Sequence, residues 1–125
     1  MPFQFQPEAG FLRLRFFGHV TRQEFAAAAR ELQAMDANGR VPHRLTDLRD
    51  LDFSELKGDD VLAFAKLRRE TRFANRFRSA ILAPNPAQFG YARMFQIVND
   101  HPDITIEVFT DEAPAIAWLM EKTST

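Results

Sequence analysis

Apolar and polar residues alternate from the start of the chain: Phe3 and Phe5 precede Pro7-Glu8-Ala9-Gly10, and Leu12, Leu14 and Phe16 then interleave with Arg13 and Arg15. Neighbouring strand residues point to opposite faces, so this pattern predicts a hairpin whose second strand sends three apolar side chains to a core. Gly18 is expected to end that strand. Thr21-Arg22-Gln23-Glu24 has the spacing in which a hydroxyl and a carboxylate satisfy the open backbone donors of a helix start. Phe25, Ala28, Ala29, Leu32 and Met35 follow at three- and four-residue steps, forming one apolar stripe, and Asn38-Gly39 is expected to close the helix.

Further along, Pro42 to Leu48 predicts a shorter strand carried by Leu45 and Leu48, and the acidic stretch Asp47 to Asp52 predicts a loop. Ser54 or Asp59 is the expected cap of a helix bearing Val61, Leu62, Phe64, Ala65 and Leu67, with an arginine-rich tail reaching near Arg76. Ser79 to Ala83 is a short apolar strand stopped by Pro84-Asn85-Pro86. In the next helix Asn85 caps, Pro86 occupies the first turn, and Phe89, Ala92, Phe95 and Val98 mark the inner face. Ile104 to Phe109 alternates as a strand, and Asp111 caps a last helix with Ile116, Trp118, Leu119 and Met120. The tail from Thr123 to Thr125 is expected to fray.

The predicted order, ββαβαβαβα, is that of an α/β domain spanning residues 1–125, with a mostly parallel mixed sheet, an N-terminal hairpin and flanking helices. Ligands of such sheets gather beyond the carboxyl ends of the strands, which here would assemble Asp47, Arg49, Pro84, Asn85, Thr110 and Asp111.

Composition narrows the chemistry. The 125 residues hold 16 Lys+Arg and 17 Asp+Glu, for a net charge of −1, and no cysteine. A dedicated nucleic-acid partner is not expected from this balance. The lack of cysteine removes disulfides, thiolate metal sites and cysteine nucleophiles. No stretch approaches the roughly 18 to 20 apolar residues that cross a bilayer, and the opening residues lack a basic leader, so a cytoplasmic location is expected. His19, His43 and His101 have no metal-binding spacing. No G-x-S-x-G elbow and no glycine-rich phosphate loop is present, and Asp47, Asp50, Asp52, Glu55, Asp59 and Asp60 read as a solvated acidic edge. No catalytic residue, metal or cofactor is assigned on these grounds.

Two surfaces invite a binding role. Arg68, Arg69, Arg72, Arg76 and Arg78 interleave with Phe73 and Phe77, a combination suited to an anionic membrane surface, a phosphorylated ligand or RNA, although both rings also fit a core. The 13 phenylalanines supply enough bulk to line an apolar pocket, with Phe89, Tyr91 and Arg93 as its candidate edge. A small enzyme using Asp47 with Arg93 or Tyr91 ranks last among the alternatives.

Taken in order, the segments FLRLRFFGHVT, RLTDLRDLDF, APNPAQFGYARMF and VFTDEAPAIAWL resemble the bacterial SpoIIAA-like, STAS-type domains along nearly the whole chain. The resemblance implies a small mixed sheet flanked by helices, related in architecture to the CRAL-TRIO lipid-carrier domains. Better-known members are anti-sigma factor antagonists with an Asp-Ser-Ser-Gly-like phosphoswitch. Here Asp52-Phe53-Ser54-Glu55-Leu56 stands in its place, so the switch is not carried over. The resemblance implies a noncatalytic domain that binds a small apolar or anionic molecule, a lipid included; the strand-end rim and the helix after Pro86 supply its candidate residues Asp47, Arg49, Asn85, Phe89, Tyr91, Arg93 and Asp111. Its alternative is a regulatory protein-interaction module. A peripheral membrane surface, a protein partner and a homodimer stay open as partners.

Overall fold

The computed structural model describes residues 2–52 and 54–121. The elements follow the predicted order: β1 (Phe3–Glu8), β2 (Phe11–His19), α1 (Arg22–Asp36), β3 (His43–Asp52), α2 (Gly58–Arg69), β4 (Phe77–Leu82), α3 (Pro86–Val98), β5 (Ile104–Phe109) and α4 (Glu112–Met120). The five strands lie in sequence order in one mixed sheet, with β1 antiparallel to β2 and all later pairings parallel. Three crossovers that step the same way along a twisted sheet lay their helices on the same face. Leu14 and Phe16 of β2 accordingly pack on Ala28 and Leu32 of α1, while Ile81 of β4 and Ile104 of β5 pack with Ala92 of α3. The last helix covers the other face, where Ala115 and Leu119 meet Phe11, Leu45, Ala80 and Leu82. Both faces of the sheet are therefore buried, and residue parity along each strand decides which layer a side chain enters.

Local signals set most element ends. The Thr21 hydroxyl accepts the Glu24 N–H at 3.1 Å and the Glu24 carboxylate accepts the Thr21 N–H at 2.9 Å, the reciprocal cap read from the spacing. Asn85 Oδ1 accepts the Ala87 N–H at 2.9 Å ahead of Pro86. The hairpin turns at Ala9-Gly10, where Gly10 has φ +91°, a conformation that a side chain would strain, and the exposed Met120 thioether lies over the position that a Cβ would take.

Other boundaries differ from the expectation. The stretch from Asp47 to Asp52 is strand: β3 runs on beside β2, which itself continues through Gly18 to His19 with a register shift between Arg15 and Phe17. Opposite charges across the ladder, Arg15 to Asp50 at 2.7 Å and His19 to Asp52 at 3.4 Å, support pairing where no apolar alternation marks it. Neither Ser54 nor Asp59 caps α2; its cap position is Lys57, whose backbone N–H donates to the Asp60 carboxylate at 2.9 Å. That helix stops at Arg69, leaving Arg72, Phe73 and Arg76 in the connection to β4. Helix α1 ends at Asp36, before Asn38-Gly39, and Met35 is 41% exposed instead of buried. Asp111 precedes α4 but makes no side-chain cap bond. The expected fraying from Thr123 to Thr125 lies outside the described residues. Among the described residues no helix is long and apolar enough to cross a membrane.

Candidate functional site

Between the sheet and the layer formed by α1, α2 and α3 lies a partly open cavity of about 100 Å³. Its walls are mainly apolar. Phe25 of α1, Phe64 of α2 and Phe95 of α3 form a run of ring contacts, edge to face at 5.8 Å between Phe25 and Phe64 and stacked at 5.2 Å between Phe64 and Phe95. These contacts tie the three helices into one wall. Tyr91 and Ala92 add to it from α3, and the sheet supplies the floor.

The floor has a polar end. Arg44 and Thr46 of β3 share the parity that faces the cavity, and Ser79 of β4 is the register neighbour of Arg44. The two terminal nitrogens of Arg44 each lie 2.8 Å from a separate carboxylate oxygen of Asp36. Arg68 Nη1 stands 2.7 Å from the same carboxylate and 3.2 Å from Gln33 Oε1. Arg44 is 2% exposed, and Asp36 and Arg68 are each 3% exposed. Phe73 covers the Arg68 guanidinium, with the ring centroid 4.8 Å away. Burial draws Arg68 below the ordinary arginine value; Asp36 opposes that shift and Arg44 adds to it. Two buried cations thus share one carboxylate. The carboxyl ends of α1 and α2 arrive at the same place, and their partial negative charge helps make the arrangement tolerable. Two polar atoms of cavity-lining residues are left without hydrogen-bond partners, Arg44 Nε and Asn99 Oδ1, and Asn99 is 3% exposed.

The residues expected to form a rim divide between the two faces. Asp47 is buried under α4 and accepts from Arg49 Nη2 at 2.7 Å, from the Arg49 backbone N–H at 3.1 Å and from Arg13 Nη1 at 3.2 Å. Glu112 of α4 joins them, 2.7 Å from Arg13 and 3.0 Å from Arg49, and Glu8 also binds Arg13. Burial alone would raise the Asp47 carboxyl, yet the contacts with Arg49 and the charge of Arg13 hold it below its ordinary value of 3.8. The cluster sets two guanidinium groups against three carboxylates and staples the start of α4 to the sheet. Asn85 serves as a helix cap, Phe89 is half-buried, and Asp111 is exposed. Arg93 is exposed and binds Gln96 at 2.8 Å. Of the seven candidate ligand residues only Tyr91 lines the cavity; its hydroxyl donates to the Leu56 carbonyl at 3.4 Å. The arginine run does not form one surface either. Arg69, Arg72 and Arg76 are exposed, but Arg68 is interior because it occupies the buried stripe of α2. Arg78 is half-buried on the opposite face, donating to the Trp118 carbonyl at 2.5 Å.

Asp36, Arg44 and Asn99 escape a reading of apolar residues alone. The signal was present for two of the charged groups: Asp36 stands four residues after Leu32 and seven after Ala29, and Arg68 stands seven after Val61. Each is a charge on the buried stripe of its helix, and such charges need partners.

Neither a family model nor a curated protein matches the chain. Among solved structures it is similar to an uncharacterised protein of the DUF3478 family with a SpoIIAA-like fold from Shewanella loihica. The two share 19% identity over 94% of this chain and 91% of the other, with a TM-score of 0.59. The architecture assembled above, five strands with three helices on one face and one on the other, is the SpoIIAA-like fold.

Proposed function

We propose that this chain is a noncatalytic binding domain whose ligand occupies the cavity between the sheet and α1 to α3. The observation that carries this reading is the pairing of an apolar chamber with unpartnered polar atoms on two of the buried residues that line it, since native interiors normally satisfy such groups. Among the described residues the lining includes no carboxylate, imidazole or amine to act as a general base toward a bound molecule. Size limits the ligand. A cavity of roughly 150 Å³ is known to admit benzene, and the chamber here, about 100 Å³, suits a compact body of a few carbons better than an acyl chain.

Native mass spectrometry of the purified protein, paired with NMR titrations of small apolar probes, tests the reading. Chemical-shift changes should concentrate at Tyr91, Ala92, Phe95 and Ile104. If no probe perturbs these residues at millimolar concentration and nothing is retained from the cell, the chamber is a packing defect and the proposal fails.

A further inference from the structure

The unmatched charge at the polar end identifies the class of molecule. Asp36 already accepts both terminal nitrogens of Arg44 and one nitrogen of Arg68, so the only carboxylate that the cluster holds among the described residues is shared by two guanidinium groups. Arginine does not surrender its proton, so the cluster keeps a formal surplus of one positive charge inside the protein. Helix-end carbonyls soften that surplus, but they leave the Arg44 Nε donor empty. A buried donor without an acceptor is costly, and a buried charge without its complement more so. Asn99 sits at the same cavity, where a half-turn of its amide offers either the carbonyl or the NH2 group. Thr46 and Ser79 provide hydroxyls that rotate to either role. Around this end the walls are aliphatic and aromatic.

Building on the cavity reading above, we propose that the ligand is a small monocarboxylate, with its anionic head on Arg44 and its compact apolar body against the aromatic and aliphatic walls. A carboxylate supplies the acceptor that Arg44 Nε lacks, balances the surplus cation and leaves the rest of the molecule to the apolar walls. A neutral molecule of the same shape supplies at most the first of these.

The test compares isobutyrate with isobutyramide, which match in shape and differ in charge, by NMR titration of the whole protein at pH 7 and constant ionic strength. Isobutyrate is expected to bind about tenfold more tightly, the margin of a hydrogen bond to a charged partner. Its binding should shift the Arg44 Nε–H and Asn99 side-chain resonances. Arg44→Met leaves Asp36 paired with Arg68 alone and should bring the two probes within about twofold of each other. Equal affinities in the native protein would overturn the carboxylate assignment while leaving the cavity reading intact. If neither probe perturbs the cavity residues, both fall. Should Arg44→Met fail to fold, Arg68→Met removes the same surplus charge from the other side, and an undiminished preference for isobutyrate there would also overturn the assignment.

Discussion

Arg44 and Asp36 face each other through two parallel contacts of 2.8 Å, a fork of donors on a fork of acceptors, with almost no solvent access to either side chain. The pair joins the end of α1 to the start of β3 beneath the cavity, and Arg68 brings in the end of α2. One carboxylate thus anchors three elements.

Asp36→Ala is therefore expected to destabilise strongly, by about 3 to 5 kcal/mol, because it strands two buried guanidinium groups. Arg68→Met should cost less, since it leaves a one-to-one pair and keeps most of the side-chain volume. Urea denaturation of both variants checks the order; an Asp36→Ala loss no larger than that of Arg68→Met would show that Asp36 is not the hub.

Ala92→Leu adds bulk to the cavity wall from α3. Small apolar acids should then lose measurable binding, while the unfolding midpoint changes by no more than about 3 kcal/mol equivalent, the usual range for overfilled interiors. Full retention of binding would place the ligand elsewhere.

The Thr21–Glu24 cap predicts that Thr21→Ala lowers stability by about 0.5 to 2 kcal/mol, whereas Thr21→Ser stays close to the native value. Equal losses in the two variants would exclude the hydroxyl as the source.

Acid should weaken the fold in two steps of defined sign. His43 Nδ1 accepts the Arg78 N–H at 2.9 Å, and burial, with Arg78 and Arg40 nearby, lowers its pKa below 6.5. The unfolded chain then takes up the proton first, so stability falls as pH drops below about 6.5, and His43→Gln should flatten that part of the curve. Asp47 is depressed below 3.8; its contribution is complete above that value and is lost as pH falls through its folded pKa. Asp47→Asn should accordingly differ most from the native protein at neutral pH and converge with it in strong acid. Unfolding free energies measured from pH 7 into strong acid distinguish the steps, and a curve unchanged by either substitution would contradict them.

The order of elements, the hairpin, the Thr21 and Asn85 caps and the α1 stripe through Ala28, Ala29 and Leu32, though not its last turn at Met35 and Asp36, were legible in the residues because each depends on neighbours within a turn or a strand pair. Strand β3 was only half legible. Its second half carries charge where apolar alternation would mark a strand, and only the ladder with β2 reveals why it stays extended. The candidate site was harder still, because Asp47 and Arg44 lie three residues apart and point into different layers.

Local sequence alone determined that the chain alternates sheet and helix and that Thr21 and Asn85 begin helices, since capping and strand periodicity act over a few residues. Tertiary structure alone decided that Arg44, Arg68 and Asn99 converge on one cavity, with Asp36 binding the two arginines behind its wall, while Asp47 is sent beneath α4 with the exposed Arg49 at its edge. The physical reason is that a sheet covered on both faces sorts side chains by parity, and the ion pairs that follow join residues whose separation along the chain carries no trace of their contact.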